Sequence, residues 1–315
     1  MDLEQLFLGS HQGRELILPR TSSLEEAFEI KDRTRALYST GILGVDMLLG
    51  GGWQCGRISE VIGGERSGKS TIAYCTIAAA QREDKQTIWI TAKRGSFVPH
   101  YARGCGIDLE KLIVVETETA DEVIGIVCDT ARLMRYGGII ILDDLSRSVY
   151  REEGFSPIAP YLTRDSSRAI AAIISVNNTT ALVLTDPLLA RRPTHAFWIA
   201  QQLLTIGINY DRMDVYATRS ADGFIGHGVS VPLIPEVGVN HHLHLLQLAT
   251  ATGVVSERNA HYVFETQRLG HGKEAASQAI ASDVHIRDEI RLRVLSSAWE
   301  RIFIQANEET PGTVE

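Results

Sequence analysis

The sequence predicts an α/β fold: a mostly parallel central sheet flanked by helices, followed by a small α+β segment. Short apolar runs at Ile58–Ile62, Thr87–Thr91, Leu112–Val115, Ile139–Leu142 and Ala181–Leu184 read as strands. Strands this apolar are buried on both faces, as in a parallel sheet covered by helices. Helical patterns lie between them at Ser70–Arg82, Thr119–Tyr136 and Pro160–Ser175. Finally, the first strand runs into Gly63-Gly64-Glu65-Arg66-Ser67-Gly68-Lys69-Ser70, a G-x-x-x-x-G-K-S motif, with a helix-compatible stretch directly behind it. Strand, loop and helix in this order are what a phosphate-binding loop requires.

Taken along the chain, residues 1 to about 36 are mixed in character, with a short helix expected around Ser23–Lys31, where Ser23 caps and Glu26 sits three on. An amphipathic segment, Val45–Leu49, ends in Gly50-Gly51-Gly52. The α/β alternation follows. After Asp186 the pattern turns strand-rich and hairpin-like, from Ala196 to about Pro235. From His241 onward it reads as a helix, a hairpin, two helices and a short acidic tail. The expected division is residues 1–36, a core at 37–238 and a small unit at 239–315, with no repeats or low-complexity tract.

Composition limits the function. A chain of 315 residues with 44% apolar content can bury a large α/β core plus a smaller unit. Its net charge of −8 argues against coating nucleic acid by bulk charge, though a local basic groove is compatible with it. Cys55, Cys75, Cys105 and Cys128 lack C-x-x-C spacing, so neither a zinc site nor a disulfide framework is expected. The start, Met1-Asp2-Leu3-Glu4, has no basic leader and no apolar run is long enough to span a bilayer, so a cytoplasmic protein is expected.

The loop's chemistry follows from its residue types. Glycines 63, 64 and 68 let the backbone through Glu65, Arg66 and Ser67 turn its N–H groups toward an anion. Lys69 reaches the outer phosphates, and Ser70 ligates magnesium. The helix beginning near Lys69–Thr71 points its positive dipole end at the same charge. A nucleoside triphosphate is the expected ligand. A second signal, Gly137-Gly138-Ile139-Ile140-Ile141-Leu142-Asp143-Asp144, is an apolar strand ending in carboxylates. Such a strand beside a phosphate-binding loop holds the magnesium through water. Asp143 stands at the strand end, with Asp144 as the alternative. His241, His242 and His244 have no cysteine or carboxylate at ligand spacing beside them, and are expected to sit on a helix rather than on a metal.

The motifs around the loop resemble the bacterial RecA recombinase family. Ser39-Thr40-Gly41-Ile42-Leu43-Gly44-Val45-Asp46 and Gly56-Arg57-Ile58-Ser59-Glu60-Val61-Ile62-Gly63 are similar to that family's "STG-x-x-x-x-D" and "GR-x-x-E-x-x-G". Pro99-His100-Tyr101-Ala102, Gly106-Ile107-Asp108 and the strand ending at Asp143 continue the likeness. Leu269-Gly270-His271-Gly272-Lys273-Glu274-Ala275-Ala276 resembles the "LGQGK-x-x-A" of its carboxy-terminal domain. Coverage runs from about Ser39 to Val294. The resemblance implies a RecA-like P-loop NTPase core that binds ATP with Mg2+ between protomers, assembles on single-stranded DNA and serves DNA repair, recombination and the response to DNA damage. It also implies Tyr101 as the residue stacking on adenine.

The chain departs from the family pattern in three places. Active members end the strand after the loop helix in a glutamate that activates the attacking water. Here Trp89-Ile90-Thr91-Ala92-Lys93-Arg94 puts Lys93 or Arg94 there. A cation cannot accept a proton from water, so slow hydrolysis is expected. The next core strand ends Leu184-Thr185-Asp186-Pro187 in place of the family's Asn-Gln, and the glycine-rich DNA loop after it is absent. Ala217 and Arg219 stand where the family has two lysines that reach ATP across protomers. Candidate DNA contacts are Arg147 and Arg151 in the first DNA loop, where Glu152 and Glu153 mix the charge, and Arg191 and Arg192 after Asp186, with Arg164 and Arg168 as further cations.

Three readings remain open on the sequence. One is a divergent paralogue that binds ATP with little turnover, acting as an accessory or regulator together with single-stranded DNA and with itself or a RecA-family protein. Another is a working DNA-dependent ATPase performing strand exchange. The last is an interaction scaffold similar to the RecA-like ImuA proteins, with a DNA repair polymerase as partner.

Overall fold

A computed structural model describes residues 36–91, 95–117, 120–134, 137–143, 164–186, 202–209, 211–220, 223–297 and 304–305. The helix expected at Ser23–Lys31, the pair Lys93 and Arg94, Asp144, and Arg147, Arg151, Arg191 and Arg192 lie outside the described residues. The described residues from Leu37 on belong to one compact unit.

Short strands β1 (Leu37–Tyr38) and β2 (Trp53–Gln54) pair with each other and flank helix α1 (Leu43–Leu48). The central sheet then builds from β3 (Ile58–Ile62), β4 (Gln86–Thr91), β5 (Leu112–Glu116), β6 (Gly138–Asp143), β7 (Thr179–Thr185), β8 (Gln202–Asn209), β9 (Arg212–Arg219), β10 (His227–Ile234) and β11 (Gly238–Val239). Its spatial order is β5-β4-β6-β7-β3-β8-β9-β10-β11, with β15 (Ile304–Gln305) also on β10. From β5 to β8 every pairing is parallel; from β8 onward it is antiparallel.

Strand periodicity divides the apolar residues between two faces. Val61, Trp89, Ile139, Ile141, Leu182 and Leu184 share one hydrophobic cluster with helix α2 (Lys69–Arg82). Ile88, Ile90, Ile140, Leu142, Ala181 and Val183 join the other, with α4 (Ala120–Leu133) and α5 (Arg164–Val176); a short α3 (Pro99–Gly104) lies between β4 and β5 in sequence. Fully burying each large side chain contributes roughly 1.5–3 kcal/mol. Helix α2 is buried from Thr71 to Gln81 on all sides, which its alanines permit and which marks it as a core helix.

The sequence reading of Ala196–Pro235 as hairpin-like holds for β8–β9–β10, but β8 also extends the parallel sheet by pairing with β3. The side chain of Gln202, fully buried, fixes that placement. Its Nε2 donates to Gly52 O at 2.9 Å, while Oε1 accepts from Gln54 N at 2.8 Å and Ser59 Oγ at 3.2 Å. A polar residue at the head of an apolar run carries no such pairing information in sequence.

Beyond β11, α6 (His241–Ala251) is capped by Asn240, whose Oδ1 accepts from Leu243 N at 3.1 Å. The expected hairpin is a three-stranded meander, β12 (Val255–Arg258), β13 (His261–Phe264) and β14 (Gln267–His271), before α7 (Lys273–Ser282) and α8 (Val284–Leu295). Strand β14 escapes a hydrophobicity reading because its residues are mostly polar and exposed; Leu269 alone is buried. The glycines of the LGHGK motif are structural here. A Cβ on Gly270 would lie 2.9 Å from Ala276 N, and Gly272 makes the strand-to-helix turn at φ +86. Leu245, Leu246, Tyr262, Phe264, Ile280 and Ile290 belong to the same cluster as Val61 and α2.

Candidate nucleotide-binding site

The loop between β3 and α2 lies at the carboxyl edge of the parallel strands, where β3 leads on to β4 on one side and its neighbour β7 leads on to β8 on the other. Open α/β sheets form their ligand crevice at such a point. Gly63 N donates to Thr185 O at 3.1 Å, tying the start of the loop to the end of β7. A Cβ on Gly63 would lie 2.8 Å from Ile206 O and would collide with Ser67 Oγ. Gly68 opens α2 at φ +97, and a Cβ there would collide with Met213 Sδ. Glycine is therefore required at both positions, for different reasons. Arg66 also adopts a left-handed backbone, at φ 59, which costs roughly 1–2 kcal/mol for a residue with a Cβ.

The fit to a triphosphate rests on two observations. Lys69 Nζ donates to the loop carbonyls of Gly63 at 2.5 Å and Gly64 at 2.7 Å, which holds the ammonium over the loop that a phosphate would enter. Ser67 is 7% exposed and its Oγ has no hydrogen-bond partner. An unsatisfied buried hydroxyl costs about 1–3 kcal/mol, and an anion seated in the loop supplies an acceptor for it. Ser70 is half-buried in the first turn of α2, and Glu65 and Arg66 are exposed at the loop's outer side.

Other candidates stand on elements that reach this edge of the sheet. Asp143 ends β6 and is 6% exposed. Its register partner on β4 is Thr91, whose Oγ1 is 2.9 Å from Ser96 Oγ. Asp186, one residue past β7, is 5% exposed. Tyr101 stands in α3, which begins at Pro99, and its hydroxyl is 2.8 Å from Thr71 Oγ1 on α2. Burial pushes the Tyr101 phenol up from its ordinary value, so it stays neutral. The Tyr101 ring meets Tyr74 edge-on at 5.9 Å, and Tyr74 packs against Trp89 at 5.0 Å and Phe97 at 5.6 Å. Tyr74 OH also accepts from Val98 N at 3.0 Å. The loop helix thus anchors the segment carrying Tyr101, a linkage the sequence reading missed. An aromatic on α2, five residues past Lys69, was the available signal.

Other sequence candidates have structural explanations. Asp46 of the S-T-G motif accepts from Ser39 Oγ and Thr40 N, both at 2.6 Å, and burial pushes its carboxyl up to about 6. His244 is buried, and its Nε2 accepts from Gly44 N at 3.1 Å, pinning α6 to α1. Among the described residues no three His, Cys, Asp or Glu side chains are grouped to hold a metal. Ala217 is fully buried within β9, so a long cation at that position would enter the core, while Arg219 lies at the strand end. Arg168 is exposed on α5, on the sheet face opposite α2. No helix among the described residues is long and apolar enough to cross a membrane.

The sheet order, the loop and its flanking carboxylates define an α/β protein of the P-loop class. A family model described as the RecA N-terminal domain matches residues 23–212. RecA of Chelativorans sp. (strain BNC1) is 27% identical over 308 residues, covering 86% of this chain and 83% of that protein. RecA of Mesorhizobium japonicum is 27% identical over 293 residues, 82% of this chain and 78% of its own length. RecA of Thermus aquaticus is 25% identical over 305 residues, 86% and 87%. The chain belongs to the RecA family.

Proposed function

We propose that this chain is an ATP-binding RecA-family protein of DNA repair and recombination that engages single-stranded DNA and hydrolyses ATP slowly, as an accessory or regulatory paralogue. In this reading residues 37–238 form the ATP-binding core and 239–315 a small carboxy-terminal unit. Gly63–Thr71 cradle the phosphates, Ser70 and Asp143 hold Mg2+, and Tyr101 receives the adenine. Bound Mg2+ neutralises phosphate charge; the chain's own part is to orient the phosphates and to position the metal through Ser70 and Asp143.

The observation that carries the reading is the loop itself: a left-handed Gly68, Lys69 poised over the Gly63 and Gly64 carbonyls, and the orphaned Ser67 hydroxyl. Slow turnover is argued from Lys93 and Arg94, since neither can take a proton from water. The test is ATP binding by titration calorimetry beside hydrolysis with and without single-stranded DNA, using Lys69→Ala as the blank. Tight binding with turnover near the blank is expected. Strong DNA-stimulated turnover would overturn the slow-hydrolysis reading in favour of a working recombinase.

A further inference from the structure

We infer that Cys75 and Cys105 form an oxidisable thiol pair, a modification site at which peroxide closes a disulfide between α2 and the end of α3 and weakens nucleotide binding on the adenine side. The thiol chemistry stands without the nucleotide; the effect on binding rests on the reading proposed above. Helix α2 and the segment from α3 onward run side by side in the same direction. Tyr101 OH is 2.8 Å from Thr71 Oγ1, and a Cβ on Gly106 would lie 3.7 Å from Ala78 Cβ. Gln81 exchanges two hydrogen bonds of 2.9 Å with the backbone of Asp108. Cys75 lies one helical turn beyond Thr71, and Cys105 one turn beyond Tyr101, whose carbonyl accepts from Cys105 N at 3.0 Å. With contacts fixed on either side, the two sulfurs face each other. Both are free thiols, and each is the other's hydrogen-bond partner.

A buried cysteine by itself acts as a small apolar side chain. Here hydrogen bonds single out one sulfur of the two. The bond from Cys75 holds the Cys105 thiol below its ordinary value, against burial and with help from the Tyr101 hydroxyl. The same bond and burial push Cys75 up. Cover over Cys105 is thin. Gly238 of β11, the end strand of the sheet, lies over the sulfur, where a Cβ would stand 2.7 Å from Sγ. Local opening of this two-residue strand admits a small oxidant without unfolding the core. The Cys105 thiolate attacks peroxide, breaks the O–O bond and becomes a sulfenic acid, and the departing oxygen leaves as water. The Cys75 sulfur then displaces the sulfenic hydroxyl, which leaves as water with the Cys75 proton. Two thiols are oxidised and one peroxide is reduced to two waters. Closure draws the end of α3 toward α2 and takes from the Tyr101 hydroxyl its sulfur acceptor, so the ring leaves the place at which it receives adenine.

The test treats the full reduced chain with hydrogen peroxide and maps its tryptic peptides without reductant. Affinities for ATP and for inorganic tripolyphosphate are measured by calorimetry before and after. Peptides joined through Cys75 and Cys105 are expected, with ATP affinity lowered about tenfold, the weight of one base–aromatic stack. Tripolyphosphate affinity should stay unchanged, and dithiothreitol should restore ATP affinity. Cys105→Ala should bind ATP equally before and after peroxide. Absence of the joined peptides overturns the inference, as does their presence with unchanged ATP affinity. An equal loss for tripolyphosphate also overturns it, because that marks distortion of the phosphate loop. Should Cys105→Ala show no cooperative thermal transition, Cys75→Ala decides: ATP binding insensitive to peroxide supports the inference and a retained loss overturns it. A reduced chain that binds no ATP overturns the nucleotide reading and the effect on binding with it, while the joined peptides decide the disulfide separately.

Discussion

At the scale of single residues, the site depends on positions where one atom decides the outcome. Gly68 combines φ +97 with a side-chain position already filled by Met213. Gly68→Ala should therefore destabilise the fold by on the order of 2 kcal/mol, from left-handed strain plus overpacking. Chemical denaturation measures this, and an unchanged midpoint would show that the loop relaxes freely. The proposed slow hydrolysis concerns a different quantity, the activation of water, for which Lys93 or Arg94 supplies no base. Lys93→Glu should raise ATP turnover at least tenfold, given that such help is typically worth about 100- to 10,000-fold. If neither Lys93→Glu nor Arg94→Glu gains any activity, the missing base is not at this strand end.

At the scale of elements, α1 and α6 meet through one buried histidine. Burial, assisted by neighbouring His241, lowers the His244 pKa to about 3 from an ordinary value near 6.5. Above pH 6.5 the imidazole is neutral whether folded or unfolded, and pH has no leverage. Between pH 6.5 and about 3 the unfolded chain binds a proton that the folded one refuses. Stability therefore falls on acidification, by up to about 1.4 kcal/mol per pH unit from this group. Asp46 acts in the opposite sense. Its folded pKa of about 6 exceeds the ordinary 3.8, so acidification from pH 6 to 3.8 favours the folded state. His244→Gln, which keeps an acceptor for Gly44 N–H, should flatten the loss of stability between pH 6.5 and 5 while leaving the Asp46 contribution intact. Denaturant titrations at a series of pH values check this; equal slopes in both proteins would contradict it.

At the scale of the whole molecule, ligand binding and stability are linked. ATP at 100 times its dissociation constant should stabilise the fold by about 2.7 kcal/mol, and Lys69→Ala should abolish the shift in thermal midpoint. A midpoint unmoved by ATP in wild type would remove the basis for a nucleotide-dependent role. On the proposed reading, binding to single-stranded DNA would have to overcome a net charge of −8 and so would depend on local cations and on salt. If Arg191 and Arg192 each meet a phosphate, replacing both with alanine should reduce the slope of log affinity against log salt by about 1.4. An unchanged slope, measured by fluorescence anisotropy at several salt concentrations, would exclude them as contacts.

The parts of this protein legible from sequence are those set by neighbours a few residues away. Strand β3 was read at its observed bounds, Ile58–Ile62, and α2 to within one residue, because period-2 and helical patterns are local. The phosphate loop was legible for the same reason: its glycines, lysine and serine are contiguous. Strand β14 and the attachment of β8 to β3 were not, since the first is mostly polar and the second turns on a buried Gln202 bonded to Gly52, Gln54 and Ser59. The sequence could show that Asp186 departs from the family pattern, but not where it stands. Only strand register sets Asp186 near the ends of β6 and β3, because pairing between strands is fixed by contacts 41 residues apart for β6–β7 and 123 for β3–β7. Sequence alone determined that this is a P-loop α/β protein with RecA-like motifs; the tertiary structure decided which carboxylates share the loop's face, because that depends on the packed sheet and not on any local run of residues.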